Sequence, residues 1–146
     1  MRTEKLDAIL ASGVTRELYR GTFPSDIDFH FQAPYCCITN VDSHNGKGSH
    51  WNAWFVTKDV IFFFDSFGRR PTDATFPPCY RRFVENMKYS YNPKIVQGLF
   101  SDTCGHFCIY VLHYKCLNYD WNIIMNSFSD DTHINDISMR KFVKNL

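Results

Sequence analysis

The spacing of apolar residues along the chain predicts short helices and strands in a mixed order. The predicted helices cover residues 3–12, 79–88, about 102–117 and 135–144. The predicted strands cover residues 33–41, 50–57, 60–65 and 94–98. Two glycines within residues 42–49 predict a mobile loop. Because strands and helices fall in separate groups, the pattern indicates an α+β fold.

The two aromatic strands in the middle of the chain make a geometric prediction. Only Lys58–Asp59 separates them, so we expect a hairpin with a two-residue turn. That turn places His50 opposite Phe67 at the far end of the hairpin. Asp65 lies two residues before Phe67, so its side chain projects from the same face as that of His50. A one-residue change in the turn would separate the two side chains.

Composition narrows the function classes. The 146 residues are 45% hydrophobic and 21% charged, which fits one soluble domain covering residues 1–146. The net charge of +1 favours neither an acidic nor a basic partner. The first ten residues lack the apolar core of a secretory signal, and no apolar run reaches membrane-spanning length. We therefore expect that the protein has no membrane partner. We also expect its cysteines to be reduced.

The cysteines and histidines do not have the spacing of a zinc site. Cys36 and Cys37 are adjacent, and Cys104 and Cys108 have no matching second pair. We therefore expect no metal.

Cys104 differs from the other cysteines in its position. It stands at the predicted start of a helix, after the cap-type residues Ser101, Asp102 and Thr103. A helix N-terminus favours the thiolate, which is the nucleophilic form of cysteine. Gly105 follows it and would leave room for a substrate backbone. A buried structural cysteine is the ordinary alternative, and it suits Cys108 and Cys116 better.

A cysteine nucleophile also needs a base, a group that orients the base, and donors for the oxyanion. His50 could be the base and Asp65 its orienting carboxylate. Gln97, at the end of a predicted strand, could donate to the oxyanion together with the backbone N–H of Cys104. Each residue alone has a structural explanation, such as Asp65 simply opening a turn. Other histidines, His44, His106 and His113, are less well placed.

Four sequence stretches resemble the adenovirus-type endopeptidases, the adenain family of viral cysteine proteases. They are "GSHWNAWFV", "FFFDSFG", "VQGLFSDTCGHFCIYVLHY" and the tail "WNIIMNSFSDDTHINDISMRKFV". His50, Asp65, Gln97 and Cys104 follow the order of that family, with the same six-residue interval between Gln97 and Cys104. The family is similar in its core to the proteases specific for SUMO and other ubiquitin-like proteins.

The resemblance implies a papain-like cysteine protease fold of the adenain type. Such a fold has a central, mostly antiparallel sheet flanked by helices and a nucleophile at a helix N-terminus. It also implies an endopeptidase that matures capsid and core precursor proteins at glycine-containing sites, of the Leu/Met/Ile-x-Gly-Gly or Gly-x kind. Trp51 would wall the substrate cleft. The protein would act as a monomer in the virion and inside the host cell, in nucleus or cytoplasm.

The chain departs from the family in three respects. Asp65 stands where mammalian adenains commonly have Glu. Family prototypes are activated by a disulfide-linked viral peptide, but the nearest upstream cysteine, Cys79, precedes the corresponding place at Asn86 or Met87. Prototypes are basic and use DNA as a cofactor, whereas this chain is nearly neutral. We therefore expect no required cofactor, and activation by a peptide or by DNA stays open as an alternative.

The sequence thus predicts a cysteine endopeptidase with Cys104, His50, Asp65 and Gln97 in its site. A protease that deconjugates or processes ubiquitin-like proteins would use the same residues. A non-catalytic capsid-binding module of the same fold, or a metal-stabilised one, is the non-enzymatic alternative.

Overall fold

The computed structural model describes residues 1–42 and 50–146. The predicted loop at 42–49 therefore lies, except for Asp42, outside the described residues. The α-helices are α1 (Thr3–Leu10), α2 (Pro78–Val84), α3 (Cys104–Cys116), α4 (Trp121–Asn126) and α5 (Thr132–Lys144). A short 3₁₀ helix covers Gly13–Thr15. The strands are β1 (Tyr19–Phe23), β2 (Tyr35–Asn40), β3 (Trp51–Val56), β4 (Val60–Phe64) and β5 (Lys88–Tyr91).

The five strands form one sheet in the order β1-β2-β3-β4-β5. The two central pairings, β2 with β3 and β3 with β4, are antiparallel. The two outer pairings, β1 with β2 and β4 with β5, are parallel. The predicted α+β class is confirmed, but the expectation of a mostly antiparallel sheet is wrong, because the sheet is mixed. Parallel neighbours need a crossover connection, and α2 lies in the crossover from β4 to β5.

The β3–β4 hairpin has the predicted register. Trp54 pairs with Phe63 and Val56 with Ile61, and Thr57 N–H donates to Val60 O at 2.9 Å to close the turn. Because of this register, the side chains of His50, just before β3, and Asp65, just after β4, project from the same face of the sheet.

Each face of the sheet is covered by its own apolar cluster, because successive strand residues point to opposite faces. One cluster joins Ala53, Phe55 and Phe64 to α1, α3 and α5. The other joins Trp54 and Phe63 to α2. The sheet is therefore the middle layer, and α3, which begins at Cys104, packs on the first face.

Several element predictions were wrong in detail. β1 was not predicted, since Gly21 and Thr22 dilute its apolar pattern, and α4 was not predicted either. Residues 94–98 are not a strand, because the edge position there is taken by β5, earlier in the chain. The helix predicted for 79–88 ends at Val84, and Asn86 adopts a left-handed conformation (φ 64°) that turns the chain into β5.

No helix in the described ranges has both the length and the apolar content needed to cross a membrane.

Candidate active site

The β3–β4 hairpin brings His50 and Asp65 into direct contact. His50 immediately precedes β3, and Asp65 immediately follows β4. The Nε2 atom of His50 and the Oδ1 atom of Asp65 are 2.5 Å apart, with both residues buried. The ring of His50 also stacks on Phe67, with 5.3 Å between centroids. The histidine is thus held by its partner carboxylate and by an aromatic neighbour.

The Asp65 carboxylate is fully buried and accepts hydrogen bonds on both oxygens. Asn52 Nδ2 donates to Oδ1 at 2.8 Å. Arg69 donates to Oδ2 from its backbone N–H at 3.1 Å and from Nε at 3.0 Å. Burial alone would raise the pKa of Asp65, but the bonds from His50 and Arg69 outweigh it and lower that pKa to about 2. The group is therefore a fixed negative charge at neutral pH.

The backbone of Asp65 is held as firmly as its side chain. Its N–H donates to Asn92 Oδ1 at 3.1 Å, and Asn92 Nδ2 donates to Asp65 O at 2.7 Å. Asn52, Arg69 and Asn92 were not predicted as site residues, because their contacts to Asp65 depend on the folded register.

Cys104 is the first residue of α3, and its sulfur lies within hydrogen-bond reach of the His50 ring. Because Nε2 is engaged with Asp65, Nδ1 is the ring nitrogen available to the sulfur. Burial would raise the pKa of Cys104, but the His50 ring and the backbone N–H groups of Trp51 and Gly105 lower it overall. Burial has the opposite effect on His50 and would lower the pKa of its ring. The bonds to Asp65 and Cys104 outweigh burial and raise the pKa of His50 to about 9. The two shifts favour a thiolate paired with an imidazolium.

His50 and Cys104 open into a cleft of about 290 Å³, which Trp51, Phe67 and Gln97 also line. Two cavities of similar volume, about 370 and 320 Å³, lie elsewhere on the described part of the molecule. Cleft size therefore does not single out this site. It is distinguished by the adjoining cysteine, histidine and carboxylate.

Gln97 lies at the same cleft, in a loop rather than at the end of a strand as predicted. Its Oε1 accepts from Ser66 Oγ at 2.5 Å, and its Nε2 donates to Ser101 O at 2.9 Å. These two bonds fix the amide orientation, because they identify which atom is the oxygen. An amide nitrogen carries two N–H groups, so one remains for a ligand in the cleft.

The two residues predicted to bind substrate have different surroundings. Trp51, the first residue of β3, lines the cleft. Gly105 does not itself line the cleft, and a Cβ atom there would lie 3.4 Å from each of Leu6, Met1 and Trp51. Its role in substrate binding stays a prediction.

The start of α3 has an unusual cap. Thr103 is the N-cap residue, yet its side chain makes no capping hydrogen bond. Asp102, the preceding cap-type residue, has an exposed carboxylate that pairs with Arg140 at 3.3 Å. The side chain at the N-cap position therefore leaves this helix terminus, which carries the sulfur, without a capping bond.

Other potential ligands lie apart from this arrangement. His106 and His113 do not line the cleft, and His44 is outside the described residues. Within residues 1–42 and 50–146, no group of three His, Cys, Asp or Glu side chains could hold a metal ion.

Comparison with known proteins adds one relative. The chain is similar to an adenovirus protease. This chain is 28% identical over 128 residues to a protein named Protease from Bovine adenovirus 2. The match covers 77% of this chain but 62% of the relative, so the chain spans less than two thirds of that protein's length. No protein-family model matches the chain. The similarity supports a relationship to viral proteases of the adenovirus type and leaves the SUMO-protease relationship a prediction.

Proposed function

We propose that the protein is a cysteine endopeptidase in which Cys104 is the nucleophile. The observation that carries this proposal is the placement of the His50 ring between the buried Asp65 carboxylate and the sulfur at the start of α3. That arrangement supplies an activated thiolate, a proton donor and an orienting group in one cleft. The similarity to an adenovirus protease supports the same class of reaction.

The reaction begins with attack of the Cys104 thiolate on the scissile carbonyl carbon, forming a C–S bond and a tetrahedral oxyanion. The backbone N–H of Cys104 and the free N–H of Gln97 Nε2 stabilise that oxyanion. The C–N bond breaks as the His50 imidazolium donates its Nδ1 proton to the departing amine. A thioester then links Cys104 to the acyl half of the substrate.

Hydrolysis of the thioester uses the same groups in reverse. The neutral His50 ring takes a proton from water, and the resulting hydroxide adds to the thioester carbonyl. Collapse of the second oxyanion breaks the C–S bond and restores the thiolate and imidazolium. Asp65 stays ionised throughout and keeps Nδ1 of His50 directed at the sulfur.

The substrates in this proposal are viral capsid and core precursor proteins, cut at glycine-containing sites. The cleft supports a preference for small residues, because Trp51 and Phe67 wall it beside the sulfur. The enzyme acts as a monomer, with no required peptide, DNA or metal cofactor, in the virion and inside the infected cell.

Replacement of the nucleophile tests the proposal. Cys104→Ala should abolish cleavage of a glycine-containing peptide library under reducing conditions while leaving the circular dichroism spectrum unchanged. Cys79→Ala is the matched control, because Cys79 is a half-buried thiol outside the cleft, and it should cleave at the wild-type rate. Equal cleavage by Cys104→Ala would contradict the proposal.

Two further arms separate the alternatives. Parallel assays with and without DNA test the absence of a cofactor requirement. Electrophilic probes built on SUMO and ubiquitin compete with the viral precursor peptides for Cys104. Labelling by these probes without peptide cleavage would favour the deconjugating protease, and failure of every substrate with a folded protein would favour the non-catalytic module.

A further inference from the structure

Asp136 is a buried carboxylate that the proposed mechanism does not use. It lies in the second turn of α5 and is 5% exposed. It accepts from Thr103 Oγ1 at 2.7 Å, from Ser101 Oγ at 3.1 Å and from Gly98 N–H at 3.2 Å. A buried charge is costly unless such donors surround it, so this cluster is a specific feature of the fold.

All three donors belong to the segment that joins Gln97 to Cys104. Those two residues provide the proposed oxyanion donors, and the six residues between them determine how the donors face one another. Gly98, next to Gln97, and Thr103, next to Cys104, both bond to the same carboxylate. Asp136 therefore holds the segment at both of its ends.

The glycine at position 98 fits this contact. A side chain there would place its Cβ atom 2.6 Å from Asp136 Oδ2, which is closer than real Cβ contacts allow. The neighbouring Asn135 adds a second tie, because its Nδ2 donates to Val96 O at 3.0 Å. Adjacent residues of α5 thus hold the chain on either side of Gln97.

The carboxylate also explains the missing helix cap. Threonine at an N-cap usually accepts a hydrogen bond from an N–H group in the first helical turn. Here the Thr103 hydroxyl donates to Asp136 and contacts Ser101 Oγ instead, and it makes no capping bond. The Thr103 hydroxyl therefore does not occupy the first-turn N–H groups, which leaves the N–H of Cys104 for the oxyanion and that of Gly105 for the sulfur.

We propose that Asp136 is a positioning residue that sets the geometry of the oxyanion hole by fixing residues 98–103. The inference rests on the proposed function of the site. A positioning role for Asp136 and a general stabilising role predict different kinetic effects. Loss of the clamp should reduce stabilisation of the transition state and leave both substrate binding and the ionisation of Cys104 nearly unchanged.

Asp136→Asn tests this inference. Asparagine keeps the size of the side chain but replaces one acceptor oxygen by a donor that faces hydroxyl or N–H donors. We expect kcat to fall by about 10- to 100-fold with little change in KM, as for a displaced oxyanion donor. The rate at which iodoacetamide alkylates Cys104 should stay at the wild-type value, since His50 and Asp65 are untouched. A peptide aldehyde, which needs the oxyanion donors, should bind less tightly.

Asp130→Asn is the matched control. Asp130 lies just before α5, pairs with Lys94 at 2.5 Å and is 97% exposed. The same chemical change there should leave kcat, KM and aldehyde affinity unchanged. Thr103→Val provides a second variant, which removes one donor to Asp136 without altering the charge, and it should lower kcat in the same direction even if Asp136→Asn fails to fold.

The outcomes are distinguishable. Wild-type kcat in both Asp136→Asn and Thr103→Val, with cleavage by the wild-type protein intact, would overturn the role of Asp136 and leave the proposed function standing. A fall in the alkylation rate equal to the fall in kcat would also overturn it, because the effect would then act on the thiolate. Absence of cleavage by the wild-type protein would contradict the proposed function and this inference with it.

Discussion

The imidazole of His50 lies between two buried partners, and its charge depends on both. Asp65 is ionised and sealed from water, so it favours the protonated ring. The protonated ring in turn favours the Cys104 thiolate. Because these effects oppose the cost of burial at both groups, the ion pair depends on contact between the residues rather than on exposure to solvent.

The pH dependence of thiol alkylation tests this residue-scale interpretation. In the wild-type protein the lowered pKa of Cys104 keeps thiolate present below the ordinary thiol range, and the pair persists until His50 loses its proton near pH 9. In His50→Ala, burial should return the thiol pKa to its usual value of about 8.5 or above. The alkylation rate at pH 7, measured by mass spectrometry at Cys104, should fall about tenfold for each unit by which that pKa rises.

Cys79 provides an internal control in the same digest. Burial raises the pKa of its thiol, so its alkylation should increase only above the ordinary thiol range in both proteins. Identical Cys104 profiles in the wild type and His50→Ala would show that the imidazole does not ionise the sulfur.

At the scale of single elements, α3 links the sulfur to the apolar core. Phe107, one turn after Cys104, is fully buried. Its ring centroid is 5.6 Å from that of Phe128 and 6.4 Å from that of Phe64 on β4. The helix that presents the nucleophile is therefore anchored to the hairpin that presents the histidine and the carboxylate.

Phe107→Ala measures that anchoring. Removing a fully buried ring leaves a cavity, so the free energy of unfolding in urea should fall by about 3–5 kcal/mol. Ile123→Ala on α4 is the control, because Ile123 is 61% exposed, and it should change that free energy by less than about 0.5 kcal/mol. A similar small change for Phe107→Ala would mean that α3 does not depend on this contact.

The hairpin could be predicted because its information is local. A two-residue connection and two aromatic runs determine the register that joins His50 to Asp65. β5 could not be predicted in the same way, since its polar sequence at Lys88–Tyr91 is a strand only through parallel pairing with β4, across α2. Parallel strands are joined by a long crossover and not by a short turn, so no sequence pattern of fixed spacing identifies the pair.

At the scale of the whole molecule, a chain of buried hydrogen bonds leads from α2 to the candidate site. Thr39 and Tyr80 share a hydrogen bond of 2.5 Å, and Tyr80 Oη donates to Asn52 Oδ1 at 3.1 Å. Asn52 then donates to Asp65 at 2.8 Å. Tyr80 belongs to α2, which packs on the face of the sheet opposite α3, so α2 helps to hold the carboxylate through Asn52.

Tyr80→Phe tests this connection between the layers. The change deprives the buried Asn52 oxygen of its donor and the Thr39 hydroxyl of its contact with Tyr80 Oη, so the free energy of unfolding should fall by about 1–3 kcal/mol. The kcat for peptide cleavage should also decrease, because Asn52 is less firmly held against Asp65. Tyr119→Phe, at a position 46% exposed, should affect neither quantity. Unchanged kcat in Tyr80→Phe would show that the two layers act independently.

The sequence alone pointed to four residues that the fold brings together at or behind the cleft. It did not point to the hydrogen-bonding residues around them. Cys104, His50, Asp65 and Gln97 combine chemical type with a recognisable order, whereas Asp136 resembles an ordinary polar residue of a helix. One signal was nevertheless present. Asp136 shares the buried stripe of α5 with Met139 and Val143 at helical spacing, and a carboxylate on such a stripe indicates a buried partner.

The position of Asp136 on α5 has a consequence for how the protein is made. Synthesis on the ribosome releases the sulfur, the imidazole and the amide before α5, so a nascent chain holds every reacting group while lacking the carboxylate that ties residues 98–103 in place. On the proposed function, such a chain is a poor peptidase until α5 docks. Docking of α5 is therefore the folding step at which the proposed site is completed.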